Sequence, residues 1–294
     1  MNRVIIIPHV HVLNANALSS PITVGFPAMT AWLGCVHALQ RKLFGKPEFE
    51  KISFSGVGVV SHSFTMKSYK DSGMYLNSLV GMGIPLNKKG GRSAFIEEAR
   101  CDLEVSLIIE VKNFDLLLKN KLENLLYELL LGGIKVAGGD ILHLEKPMLV
   151  VLDDESSFNK FKKRLMPGFV LLERRSLMAE AMVEGRDGID ALLEFLKVTY
   201  SCSETEPFVW KSSREAAGWI VPIATGYQGI SQKIVSSFQR DRTTRHRFAE
   251  SIVTLGEFVM PYRIKTLEEM LWSYHFESEN DLYICINENK KKEK

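Results

Sequence analysis

Residues 14–43 read NANALSSPITVGFPAMTAWLGCVHALQRKL, and the two halves of this stretch obey different physics. The first half is a polar segment of Asn, Ser, Pro and Gly that follows an apolar, β-branched run at residues 4–7. That run, ended by Pro8, reads as a short buried strand, because proline lacks the N–H that a ladder needs. The second half reads as an amphipathic helix starting near Pro27. Met29, Trp32, Leu33, Val36, Leu39 and Leu43 recur at helical spacing and form its buried stripe. Thr30, Gly34, His37 and Arg41 lie on another face, and Gly45 and Pro47 end the helix. A strand, an elaborate polar loop and a helix with a cationic face suit recognition of a ligand more than catalysis.

Working outward, residues 52–66 are rich in β-branched and aromatic side chains and read as a strand, with a bulge or close backbone approach at Gly56 and Gly58. Residues 101–111 read as another strand. Residues 114–131 read as a second helix, with Leu117, Leu118, Leu122, Leu125, Leu126 and Leu129 as its stripe and Gly132-Gly133 closing it. A short strand at 134–136, the pair Gly138-Gly139 and an apolar run at 141–144 follow. The order strand, helix, strand, strand, helix, strand is that of the split β-α-β-β-α-β, or ferredoxin-like, fold of the α+β class. The core would be residues 1–146, with an arm-like insertion at 67–100 between its middle strands. Residues 147–294 read as an α/β extension packed on that core. It would hold strands at 148–152, 169–172, 219–223 (ended by Pro222) and 282–286. Its helices are expected at 159–164, 188–199, 248–260 and 267–274.

The 294 residues are 46% apolar, enough for a sizeable core. Net charge is +2, from 37 basic and 35 acidic residues, so only local clustering could favour a polyanion. Cys35, Cys101, Cys202 and Cys285 are isolated, with neither zinc-site nor disulfide spacing, as expected in a reducing cytoplasm. The start, MNRVIIIPHV, has too short an apolar run for a signal peptide, and no run is long enough for a membrane span.

Basic residues do cluster locally. The insertion contains IPLNKKGGR at 84–92, turn chemistry that fits either a projecting tip carrying Lys88, Lys89 and Arg92 or a disordered loop. Residues 159–175 are basic, and QRDRTTRHRF at 239–248 carries Arg240, Arg242, Arg245 and Arg247 around His246. Guanidinium groups bind phosphate bidentately, although any one such cluster also fits a solvated face. Gly138-Gly139 allows a backbone to approach a phosphate closely, or makes a plain turn. His37 could serve as a general base, but no second catalytic group stands at fixed spacing, and Arg41 one turn on disfavours a protonated imidazole. His9 and His11 share one side of a strand end, and two ligands do not make a metal site. Phosphate-loop, dinucleotide and nucleophile-elbow motifs are missing from the sequence.

Several ordered stretches resemble one family. They are NANALSSPITVGFP, VHALQRKL, GVGVVSHSF, IPLNKKGG, EEARCDLEVSLII, AGGDIL, LMPGFVLLERR, GWIVPIATGYQGIS, RFAESIVTLGEFVMPYRI and TLEEMLWSYHF. They are similar to the subunit of the type I-F CRISPR surveillance (Csy) complex that binds the 5′ handle of CRISPR RNA, a member of the RAMP superfamily with a modified RNA-recognition core. The resemblance implies a non-catalytic RNA-binding subunit without a cofactor. Its partners would be the crRNA 5′ handle, the large subunit and the first backbone-filament subunit. Target DNA would be met only indirectly, and a membrane not at all. The residues expected at RNA are Asn14, Asn16, Ser19 and Ser20 for base edges, His37 and Arg41 on the helix, and Lys88, Lys89 and Arg92 on the arm. Gly138 and Gly139 and the cluster Arg242, Arg245 and Arg247 complete them. A RAMP-type endoribonuclease using His37 and a protein-only adaptor are the competing expectations.

Overall fold

The apolar run at residues 4–7 begins a strand far longer than expected. In a computed structural model, which describes residues 2–80, 86–91, 98–203, 208–235, 241 and 243–287, β1 covers Asn2–Asn16 and continues through Pro8. Pairing with its neighbour slips between Ile7 and Val10, and His9 takes a φ of 45°. A bulge leaves a residue outside the ladder, so the N–H missing from proline costs no hydrogen bond there.

The expected polar loop is partly a small ribbon, in which β2 (Leu18–Ser20) pairs with β3 (Thr23–Val24). Helix α1 (Met29–Phe44) follows, with Met29, Trp32, Leu33, Val36, Leu39 and Leu43 buried as the spacing requires. Strand β4 (Ser53–Met66) has both glycines at close contacts: a Cβ on Gly58 would lie 3.0 Å from the Met270 carbonyl oxygen. In the insertion, β5 (Ser68–Tyr69) pairs with β6 (Ser78–Leu79), ahead of the expected tip at residues 84–92. Strand β7 (Arg100–Lys112) is followed by α2 (Lys119–Leu131). Leu117 departs from the expected stripe. Residues Leu116–Leu118 form a 3-10 turn that the Asp115 carboxylate caps, and this turn leaves Leu117 91% exposed. A hairpin of β8 (Lys135–Val136) and β9 (Gly139–His143) closes this half.

Neighbours in the sheet run β4-β7-β1-β9, all antiparallel, with α1 and α2 packed in the core on one face. Strand β10 (Met148–Leu152) extends the same edge by pairing with the first part of β1. On the opposite face, Val4, Ile6, Val60 and Ile108 are covered by Phe161 and Leu165 from and just after α3 (Glu155–Arg164), and by Leu267 and Met270.

The second half differs most from expectation. Strand β11 (Phe169–Glu173) is followed by α4 (Arg175–Val183), which the sequence reading lacks, and α5 (Gly188–Leu196). A detached pair, β12 (Thr199–Cys202) and β13 (Trp210–Ser213), precedes β14 (Trp219–Gly229). Pro222 does not end β14, because β17 pairs only with Gly226 to Gln228, and proline is tolerated where one side of a strand is free. Residues 248–260 are not a helix but β15 (Ala249–Val259). Residues 267–274 are likewise a 3-10 turn leading into β16 (Trp272–Glu277), with β17 (Leu282–Asn287) after it. Short apolar runs do not distinguish helix from strand, and here long-range pairing decides.

These strands complete an 11-stranded sheet of order β11-β15-β14-β17-β16-β4-β7-β1-β9-β8, with β10 beside β1. Strand β16 meets β4 at Val57, and β11 meets it again at Val60 and Ser61, so the C-terminal strands leave β4 and return to it as a closed ring. Helix α1 contacts both β4 and β14. The described residues hold five α-helices, none long and apolar enough to cross a membrane.

Candidate nucleic-acid interface

The polar face of α1, the β2–β3 ribbon and the β8–β9 turn enclose one open groove of ≈ 1140 Å³. Asn16 lines it from the end of β1, Ser19 and Ser20 from the ribbon, Thr30 and Gly34 from α1, and Gly138 from the turn. Arg100, Lys135 and Tyr227 join them from three other strands. Arg100 is paired with Glu98, and Lys135 with Asp140, so both cations arrive with a nearby carboxylate.

Much of the expected hydrogen-bonding capacity of the ribbon is used within it. Ser20 is 5% exposed; its hydroxyl accepts from the Ile22 N–H at 3.2 Å and lies 2.6 Å from Thr23 Oγ1. Ser19 Oγ lies 2.9 Å from the same Thr23 oxygen. Asn16 Oδ1 accepts from the Leu18 N–H at 3.1 Å, and its Nδ2 donates to the Leu18 carbonyl at 3.1 Å. Ser20 and Asn16 therefore shape the rim from below, and Ser19 is the more open of the serines. Asn14 is not in the groove lining. It takes a φ of 58° at the root of the arm, where its N–H donates to Asp102 Oδ1 at 2.9 Å and its side-chain oxygen accepts from Lys67.

Gly138, at φ +77°, sits at the groove, where the nearest atom to an added Cβ is a nitrogen of Arg100, 4.0 Å away. Gly139 is buried. The close approach it permits is to β1 of this chain: a Cβ would stand 2.7 Å from the Leu13 carbonyl oxygen and 2.8 Å from the Ala15 nitrogen. Gly139→Ala is therefore expected to destabilise the chain by ~1–3 kcal/mol through overpacking. Thermal denaturation checks this; an unchanged melt would show that β9 can move away from β1.

The remaining candidates lie elsewhere. His37 and Arg41 are exposed on α1, and His37 lines a smaller pocket of ≈ 250 Å³ with Gln40, Tyr274 and Tyr283. Lys88 and Lys89 are exposed in a turn where Asn87 Oδ1 accepts from the N–H groups of Lys89 and Gly91. Arg245 and Arg247 line a third depression with Lys233, and Arg247 is ion-paired with Asp281. Arg92 and Arg242 lie outside the described residues. The structure thus gathers Asn16, Ser19, Ser20 and Gly138 and leaves the other described candidates apart. Lys135 and Tyr227 were absent from the candidate residues, since nothing local to either marks it as a groove residue.

The family model of the CRISPR-associated protein Csy2 matches residues 5–285. The chain belongs to this family. It is also 32% identical to CRISPR-associated protein Csy2 of Pseudomonas aeruginosa (strain UCBPP-PA14) over 309 aligned positions, covering 95% of this chain and 93% of the relative. Membership makes it a subunit of the type I-F CRISPR (Csy) complex, a defence system. The matched span takes in the ribbon, α1, the β8–β9 turn and β14, so every wall of the groove belongs to the family fold.

Histidines gather on the opposite face of the sheet from α1. His9 Nδ1 lies 2.6 Å from Glu104 Oε1, His11 Nε2 lies 3.8 Å from the same oxygen, and the rings of His9 and His62 stack at 4.4 Å. His62 Nδ1 lies 2.5 Å from the Pro167 carbonyl, which can only accept, so the neutral ring carries its proton on Nδ1 and accepts from the Ser106 hydroxyl at Nε2, 2.7 Å away. Among the described residues no group of three or more His, Cys, Asp or Glu is arranged to hold a metal ion. Burial pushes the His62 imidazole below its ordinary value of 6.5, and the hydrogen bond from His9 holds Glu104 below the usual 4.5. Both shifts disfavour the protonated form in the folded chain. The stability they supply is fully present above the unfolded values and is lost as pH falls through the folded ones. The melting temperature should therefore decline below about pH 6.5 through His62, and again below about pH 4.5 through Glu104. His62→Gln should flatten the upper limb only; a variant with an unchanged profile would remove His62 from the acid response.

Proposed function

We propose that this chain is a non-catalytic RNA-binding subunit that holds the 5′ handle of crRNA together with the large subunit and caps the backbone filament, working in the cytoplasm. It would meet target DNA only indirectly. The observation that carries the reading is the groove, where neutral hydrogen-bonding groups of the ribbon stand beside Arg100, Lys135 and an aromatic ring in a Csy2-family chain. Such a mixture suits an unpaired strand, with bases on rings and amides and phosphates on cations. The neighbour order β9-β1-β7-β4, with α1 and α2 on one face, supports a ferredoxin-like RAMP core. The arm, with Lys88 and Lys89 exposed near its tip, would grip the backbone.

The test is salt-dependent binding of the full chain, alone and with the large subunit, to handle RNA. Reversing the charge at Lys88 and Lys89 should reduce the slope of log K against log salt by about 0.7 per lost phosphate contact, with little change in melting temperature. Absence of salt-dependent RNA binding would favour a protein-only adaptor. RNA cleavage that disappears in His37→Ala would favour the endoribonuclease.

A further inference from the structure

Strands β14, β17 and β16 carry four aromatic side chains on one face. Tyr227 stands directly opposite Tyr283, and Tyr283 directly opposite Phe276. Cross-strand partners share a face, as do residues two apart on one strand, which adds Tyr274. Trp272, two residues before Tyr274, is buried in the core with α1, whereas Tyr274 is 39% and Phe276 60% exposed. The aromatic strip thus emerges from under the helix into solvent. The Tyr274 and Tyr283 rings stack at 5.2 Å with an interplanar angle of 28°.

This strip joins sites already described. Tyr227 lines the groove with Asn16, Ser19 and Arg100, while Tyr274 and Tyr283 line the pocket of His37. Two residues beyond Tyr227, Gly229 borders the depression of Lys233 and Arg245. Open rings spaced one strand apart and flanked by cations and amides match what a single strand needs, since every base has a stacking face and every nucleotide a phosphate.

We propose that Tyr227, Tyr283, Tyr274 and Phe276 form a stacking platform for unpaired bases of single-stranded RNA whose backbone follows the groove. The proposal rests on the RNA-binding reading above and adds where the bases go. The probes are a short fluorescent oligoadenylate and an abasic oligomer of the same length and charge, bound to the full chain. The intact chain should prefer the oligoadenylate, and Tyr227→Ala with Phe276→Ala should lower that preference roughly tenfold or more. Tyr227→Phe should retain it. Tyr227→Leu with Phe276→Leu, which keep apolar bulk without a ring, should lose it even if the alanine variants fold poorly. An unchanged preference in the leucine variants, with salt-dependent RNA binding intact, would overturn the platform and leave the RNA-binding reading standing. No binding of either oligomer by the intact chain would overturn both. Variants that keep the preference but no longer co-purify with the Csy complex would make the strip a protein interface and overturn the platform.

Discussion

Trp32→Ala is expected to destabilise the chain by about 3–5 kcal/mol. Trp32 is fully buried at the centre of the α1 stripe, stacked on Phe26 at 5.4 Å, and its Nε1 donates to the Pro27 carbonyl at 3.1 Å. Truncation removes the transferred apolar area, leaves a cavity between the helix and the sheet, and strips a carbonyl of its partner just before the helix begins. Against a typical total of roughly 5–15 kcal/mol, that loss removes a large share of the stability. The ribbon and groove should suffer as well, because Pro27 is where the chain turns from the ribbon into α1. Arg41→Ala is the control: Arg41 is exposed on the same helix and should leave the unfolding transition nearly unchanged. Denaturant titration of both variants checks the assignment of faces. Equal losses would mean that α1 is rotated from the orientation described.

The contrast between these residues was legible in the sequence because α1 has a single stripe of large apolar side chains. Strand β7 was legible from its run of Val105, Ile108, Ile109 and Val111, and the β8–β9 segment from apolar runs set off by Gly132-Gly133 and Gly138-Gly139. Residues 249–259 were not, because their apolar residues fit either period and only pairing with β14 and β11 settles them as strand. Both misplaced strand ends involve proline. Pro8 occupies a bulge and Pro222 a one-sided stretch, and neither context is written locally. The site was half legible. Asn16 and Ser19 announced a polar rim, but the burial of Ser20 depends on the Thr23 hydroxyl, and Tyr227 reaches the groove from more than two hundred residues away in sequence. The aromatic strip was hidden for the same reason. Tyr227, Tyr274 and Tyr283 align only once β14, β17 and β16 lie side by side.

Trp272→Ala is expected to cost a similar ~3–5 kcal/mol and to weaken both halves of the chain together. Trp272 is fully buried on β16, in register with Val57 of β4, and its Nε1 donates 2.9 Å to the Leu171 carbonyl on β11. Strand β11 is the one that returns to β4 at Val60 and Ser61, so one side chain ties the two ends of the ring to each other and to the first half. Because Trp272, Leu171 and Ile223 share a core with Ile5, Trp32 and Leu107, unfolding should be one cooperative transition, with near- and far-ultraviolet circular dichroism changing together. Trp272→Phe keeps most of the buried area but leaves the Leu171 carbonyl without its donor, and should cost about 1–3 kcal/mol. The same reasoning applies to residues 1–146 expressed alone. That fragment would uncover Val4, Ile6, Val60 and Ile108 and leave one edge of β4 unpaired, so it should aggregate rather than fold. A soluble fragment melting cooperatively near the temperature of the full chain would show that the first half stands alone and that Trp272 supports only the second.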